Sequence, residues 1–411
     1  MIANCLPNFH NYLLQDPSSI LTESFLFWSL FASLGWLLIT SVILIRNRFE
    51  LTGLPSIEKK ADLKISVCIP ARNEENTLPV LLPTVFSQKG VEFEVIVLND
   101  GSTDRTGEVL NSFSNNHADT LRVVDGIDKP ADWLGKPWAC MQLSRHASPE
   151  TDLLLFLDAD TKLRPGTLQG IASAFREYKS DMITVWPQQI LGTFWEKTVM
   201  PLVYYGLISV LPAVYVYRKP RWMPKRIYVR VSSMFAAANG QCIAFKKDAY
   251  QIIGGHEAVK QQIVEDVELA KAAKRAGLTV RMFHGTGSVL CRMYKNQSEL
   301  FTGLRKNFLA GFGYSIPLFL SAAILHLIVF ILPFAALLWS LFYPSAAIFS
   351  LSALSVTLIL FHRLMLSIWF QWDPIYSFTH PIGVLWFQWL GLVKLYDHFT
   401  GKKVNWKGRN V

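Results

Sequence analysis

Charge is what this sequence has least of: 17% of its 411 residues are Asp, Glu, Lys or Arg, against 51% that are hydrophobic. Soluble domains carry about a quarter charged residues. Paired cysteines are missing too. Cys5, Cys68, Cys140, Cys242 and Cys291 are scattered with no Cys-x-x-Cys among them, which points away from both a zinc site and a disulfide framework. No Gly-x-Gly-x-x-Gly run follows a strand, and Gly135-Lys136 lacks the upstream glycine of a phosphate loop, Pro130 standing there instead. Those absences set aside the two commonest nucleotide-binding loops. Neither an internal repeat nor a low-complexity tract is present.

The apolar excess is localised. Phe25 to Ile45 carries no charge and is long enough to cross a bilayer. Arg46 and Arg48 follow it, while nothing before it is basic, so residues 1–24 are expected outside and residue 46 onward in the cytoplasm. With no basic n-region, the run reads as a retained anchor rather than a cleaved signal. Three more apolar blocks follow: Leu318 to Phe342, Ser345 to Trp369 and Ile375 to Tyr396. The expected plan is an anchor at 25–45, a cytoplasmic domain at 46–317, transmembrane or re-entrant helices at 318–396 and a basic tail at 397–411. It describes a multi-pass protein of the plasma membrane. Three C-terminal spans would place the basic tail outside, against the positive-inside rule. Segment 194–222 includes an uncharged stretch, Thr198 to Tyr217, which is expected to be interfacial, since a span there would divide the domain across the bilayer. Pro201 and Pro212 also argue against a straight helix. The net charge of +9 gathers in Arg218 to Arg230, Arg292 to Lys306 and Lys402 to Arg409, a pattern that fits anionic lipid headgroups better than nucleic acid.

From Leu63 strands and helices alternate. Strands are predicted at Leu63 to Ile69, Phe93 to Leu98, Leu121 to Val124 and Asp152 to Leu157. Helices are predicted at Asn76 to Gln88, Thr106 to Phe113, Pro137 to His146 and Pro165 to Tyr178. This alternation implies an α/β fold with a parallel sheet. Ala236 to Phe245 reads as strand around Asn239-Gly240, and a helix is expected from Asp266 to Ala276, ended by Gly277.

Carboxylates stand where ligands bind such a sheet, at the carboxyl ends of strands. Asp158-Ala159-Asp160 closes one apolar run. In an extended segment these two side chains face one way and suit Mg²⁺ or Mn²⁺, although an acidic turn is the commoner meaning of Asp-x-Asp. Pro70-Ala71-Arg72-Asn73-Glu74 and Asn99-Asp100 occupy the nucleotide position after the first two strands, where a carboxylate accepts bonds from ribose hydroxyls; Asp100 reads equally as a turn residue. Asp104 reads as a helix cap. Lys136, in Trp133-Leu134-Gly135-Lys136-Pro137-Trp138-Ala139, suits a diphosphate at a helix mouth, or is a solvated lysine between tryptophans. Asp266 is the candidate base, though taken alone a carboxylate there is more often a cap. Glu265 and Glu268 read as charges complementing the helix dipole.

Taken together from Ile65 to Asn307, this ordered series resembles the family 2 glycosyltransferases, whose fold is the nucleotide-diphospho-sugar transferase (GT-A type) domain. Trp133 to Ala139, Arg292-Met293-Tyr294 and Gly303-Leu304-Arg305-Lys306-Asn307 are similar to the membrane members acting on carotenoids or hopanoids. The resemblance implies that Asp100 and Glu74 hold the nucleoside, with Pro70, Arg72, Lys136, Asn239, Gly240 and Gln241 around the nucleotide sugar. It implies that Asp158 and Asp160 hold a divalent metal, Mg or Mn, with the diphosphate, and that Asp266 is the base of one inverting displacement. The expected donor is UDP-glucose and the expected acceptor a lipid hydroxyl. A polyprenyl-phosphate sugar synthase and a nucleotide-binding membrane scaffold are the rivals. The Gln-x-x-Arg-Trp signature of polysaccharide synthases is absent, and Arg305 or Lys306 is the candidate to replace its charge.

Overall fold

The computed structural model describes residues 17–55, 61–402, 405–406 and 409–410. Most of the expected extracytoplasmic stretch 1–24, with Cys5, lies outside the described residues, as does part of the tail. A 34-residue helix, α1 (Pro17–Glu50), leads into β1 (Ala61–Ala71), α2 (Leu78–Phe86), β2 (Val91–Asn99), α3 (Thr106–Asn116) and β3 (Leu121–Asp125). Then come α4 (Gly135–His146), β4 (Leu153–Leu157), β5 (Thr161–Leu163), α5 (Thr167–Tyr178), β6 (Met182–Trp186) and β7 (Gln188–Gln189).

The main sheet has seven strands in the order β3-β2-β1-β4-β8-β6-β9, with β8 at Cys242–Lys246 and β9 at Val280–His284. It is mixed, and this corrects the parallel sheet expected from the sequence. β1 runs parallel to β2 and β4, but β8 is antiparallel to both its neighbours. The reversal matters for the site. Cys242, at the start of β8, pairs with Leu157 at the end of β4. The chain entering β8 therefore stands on the same edge as the carboxyl ends of β1, β2 and β4. Residues 236–241 form that approach and are not strand, contrary to expectation. A second sheet, β5 with β10 (Val289–Cys291) and β7, closes one side of this edge.

Alternation along the central strands divides the core into two faces. Ile65, Val67 and Ile69 join Leu82, Phe175 and the helices α2 and α5 in one apolar cluster. Cys68, Ile96, Leu154 and Phe156 belong to the other, which runs without a break into Leu44 and Leu51 at the end of α1 and into Tyr204, Tyr205, Leu366, Trp369 and Phe370. Sheet and helical bundle thus share one core.

The bundle is assembled from α1, α6 (Phe194–Val210) and the C-terminal helices. Between α6 and the latter lie α7 (Val214–Tyr217), α8 (Lys225–Val231), α9 (Lys247–Ile252), α10 (Glu265–Arg275) and α11 (Gln297–Asn307). They are followed by α12 (Ile316–Phe330), α13 (Leu332–Trp339), α14 (Ala346–Trp369) and α15 (His380–Thr400). Among the described residues three stretches are long and apolar enough to cross a membrane: 22–50, 316–339 and 346–369. The expected fourth block, now α15, is not among them. Helix α6 carries Pro201 inside it, contrary to the expected interruption, and ends before Pro212. It starts at a capping box of Thr193 and Glu196 and packs on α1, α14 and α15.

Arg305 is not available to a phosphate. Its guanidinium grips the carboxylate of Asp397, which is 2% exposed, in a bidentate pair joining α11 to α15. Breaking one partner of a buried pair costs about 3–5 kcal/mol. Asp397→Asn should therefore lower the thermal unfolding midpoint clearly while nucleotide-sugar affinity stays unchanged.

Candidate active site

Asp100 follows β2 and Asp158 follows β4, so both sit on the carboxyl edge as expected. Asp100 is 7% exposed, its N–H donating to Ala71 O at 2.8 Å. Pro70 lies opposite Leu98 near the end of β1. Arg72 donates to the carbonyls of Asp100 (2.5 Å) and Gly101 (3.0 Å), which ties the first two loops together. Asn73, at φ 55°, accepts from Thr103 N–H at 2.8 Å. The Glu74 carboxylate accepts from the Thr77 hydroxyl at 2.6 Å. Asp104, expected as a helix cap, stands one residue before the N-cap Arg105 of α3 and accepts from Thr106 N–H at 3.0 Å.

The second group centres on Lys136. Its ammonium lies 2.8 Å from Asp158 Oδ1, 2.9 Å from Asp158 Oδ2, 3.1 Å from Glu265 Oε1 and 3.4 Å from Gly240 O. Burial alone would push this ammonium down, yet Asp158 and Glu265 hold it well above lysine's ordinary value. It is therefore not the solvated lysine that stood as one alternative. Glu265, expected to be a helix-dipole charge, is 8% exposed and pairs with Lys136 instead. Glu268 pairs with Lys271 on the outer side.

Asp266 does more than cap. Oδ1 accepts from Val267 N–H at 2.9 Å, and Oδ2 reaches across to Gly240 N–H at 2.7 Å. Burial and the neighbouring Glu265 charge raise its carboxyl to about 6, against the pull of Lys136 and the two N–H groups. A Cβ at residue 240 would press on the pair, coming within 3.1 Å of Lys136 Nζ and 3.3 Å of Asp266 Oδ2, so either side chain would have to give way by a few tenths of an ångström. The loop is braced from behind. Asn239 N–H donates to Thr184 Oγ1 (2.9 Å), and Gln241 accepts from Gln189 Nε2 (2.9 Å) and donates to Cys291 Sγ (2.8 Å). Thr184, Gln189 and Cys291 had no sequence signal, since their value lies only in the loop they hold.

The Asp158-Ala159-Asp160 segment is a turn rather than the expected extended strand, with Thr161 N–H donating back to Asp158 O at 3.2 Å. Both acids nonetheless stay close to one point: after burial, Asp160 and then Asp158 push the Cys291 thiol up. Among the described residues no group of three or more His, Cys, Asp or Glu could hold a metal. Two carboxylates suit Mg²⁺ or Mn²⁺ all the same, because such ions fill their remaining positions with water and phosphate oxygens.

Residues 66–245 match the model of Glycosyl transferase family 2. A 4,4'-diaponeurosporenoate glycosyltransferase of Staphylococcus haemolyticus (strain JCSC1435) is 29% identical over 335 residues, covering 76% of this chain and 79% of its own. That of Staphylococcus aureus (strain USA300) is 28% identical over 357 residues, covering 84% and 87%. Among solved structures, a mannosyltransferase from Pyrobaculum calidifontis in complex with GDP-Man and Mn²⁺ superposes with a TM-score of 0.54 at 16% identity, covering 92% of this chain and all of that one. At that identity the likeness is one of fold.

Proposed function

We propose, from the match of residues 66–245 to the Glycosyl transferase family 2 model and the likeness to the diaponeurosporenoate glycosyltransferases, that the chain is a family 2 glycosyltransferase that moves a hexose, from UDP-glucose, to a carotenoid-type lipid with inversion. The observation carrying this reading is the Asp266 carboxylate, raised to about 6 and fixed by Gly240 beside the Lys136–Asp158 pair. The relatives are named for a carboxylate, diaponeurosporenoate. On that ground the acceptor oxygen proposed is a carboxyl oxygen, in place of the hydroxyl expected from the sequence.

In the displacement, the acceptor oxygen forms a bond to the anomeric carbon as the bond to the diphosphate breaks. The nucleoside diphosphate leaves with the electron pair, and the acceptor's proton passes to Asp266. An acceptor that meets the donor as the carboxylic acid is a poor nucleophile until its proton is removed. A base at about 6 is suited to take that proton. Asp100, Glu74, Pro70 and Arg72 would hold the nucleoside, and Lys136, Asn239, Gly240 and Gln241 the sugar diphosphate. Asp158 and Asp160 would hold a divalent cation, whose charge offsets that of the departing diphosphate.

The three apolar stretches support a topology with residue 1 outside, the domain in the cytoplasm, and α15 on the cytoplasmic side with the basic tail. That arrangement resolves the conflict over the tail's charge. Membranes containing the protein, given labelled UDP-glucose and extracted into organic solvent, should yield a labelled lipid whose mass equals a carotenoid acid plus one hexose. A labelled polyprenyl phosphate would establish the rival synthase, and no labelled lipid would sink both readings.

A further inference from the structure

Where the bundle meets the catalytic sheet, five helices send polar side chains into one cluster. His362 on α14 meets Ser41 of α1 (2.6 Å) through Nε2 and the Tyr205 hydroxyl of α6 (2.7 Å) through Nδ1. His380 of α15 has its ring 5.9 Å from that of Tyr205, and Arg363, His362 and His326 of α12 all lie within electrostatic reach of it. His362, Arg363 and His380 are each 0% exposed. Arg363 donates from Nη2 to Tyr376 O at 3.1 Å. Its Nε and Nη1, and both ring nitrogens of His380, have no hydrogen-bond partner among the described residues.

Among the described residues no carboxylate of the bundle answers this charge. Glu23 accepts from Ser345, Glu50 from Tyr217, and Glu196 closes its capping box and faces Arg292. Asp373 caps Ile375 N–H and faces Lys197 at 4.0 Å, and Asp397 is held by Arg305. An enclosed guanidinium without a counter-charge is costly, and an ionisable side chain within a membrane-crossing helix marks a functional site. An enclosed guanidinium with no acid beside it among the described residues favours an anion.

Its position says which kind of anion. Trp369, at the end of α14, lies under Arg48 at 5.4 Å, where α1 leaves its apolar stretch. Arg363 is six residues earlier, about 9 Å along the axis at 1.5 Å per residue, within a candidate span. That depth lies among the apolar side chains of the bundle, which suits the head of a long apolar ligand better than a water-soluble ion. Tyr204, beside Tyr205, donates to Pro187 O at 2.6 Å and accepts from Gln189, which also holds Gln241. The cluster therefore connects through these side chains to the loop that positions Asp266.

We infer that Arg363 and His380 form an anion site inside the bundle that receives the carboxylate of a long apolar acceptor before it meets the donor. The choice of acceptor rests on the function proposed above; the anion site itself does not. The test uses the full-length protein in detergent, with all-trans-retinoic acid and retinol as probes, read by quenching of tryptophan emission. Retinoic acid should bind wild type at least tenfold more tightly than retinol. Arg363→Gln should remove that preference without changing retinol or UDP-glucose affinity, while Arg363→Lys retains part of it. His380→Asn provides a second variant should Arg363→Gln fail to fold. Equal binding of acid and alcohol by wild type, or an unchanged preference in both variants, overturns the site. If dodecyl phosphate displaces retinoic acid better than dodecanoate does, the occupant is a lipid phosphate and the acceptor assignment falls. If retinoic acid binds through Arg363 but no carotenoid acid is ever glucosylated, the site stands and the proposed acceptor does not.

Discussion

Replacing Asp266 by asparagine is expected to lower kcat by about 10²–10⁴-fold with donor affinity nearly unchanged, the range for loss of a general base. With a carboxyl acceptor the loss should lie at the lower end and be partly recovered at high pH, where the acceptor ionises by itself. With Asp266 as the proposed base, its ionised form is the one needed, so wild type should lose activity as pH falls through about 6. The Asp266→Asn enzyme should lack that limb. Stability should move the other way. A carboxyl raised from 3.8 to about 6 binds its proton more tightly when folded, so wild type loses stability as pH rises through that window. The Asp266→Asn protein should therefore melt higher than wild type at pH 7. Near-normal turnover by this variant would remove the base assignment.

Lys136→Met should be nearly as damaging to transfer, for a different reason. It leaves Asp158 and Glu265 facing each other without the cation between them. Losing one partner of a buried pair costs about 3–5 kcal/mol, and here the lower end applies because 35% of the lysine side chain remains exposed. The same change withdraws a charge that holds Asp266 down, so the acid limb of any residual activity should move above 6. A pH profile that stays put in Lys136→Met would show that the ammonium does not govern the base.

Much of this arrangement was legible because apolar strands and their terminal acids are local patterns. Asp100 and Asp158 close uninterrupted buried runs, so their place on the sheet edge followed from the sequence. The direction of β8 did not, since antiparallel pairing between β4 and β6 leaves no mark within Cys242–Lys246 itself. Asp160 was placed on the right element end but in the wrong conformation, the turn being set by the pairing of β5 with the distant β10. Glu265 and Arg305 were misread for one shared reason. Glu265 was read as a helix-dipole charge and Arg305 as a charge for the phosphate, because the partner of each, Lys136 or Asp397, is brought in only by tertiary packing.

The continuous core linking Phe156 and Leu154 of the sheet to Leu44, Tyr205 and Leu366 of the bundle leaves no hinge between them. The candidate site's edge is consequently mounted like a tool on a bench, at one height and one tilt relative to the helical bundle. Under the function proposed here, such a mounting would act as a gauge, a lipid being accepted according to whether its reactive end reaches that height.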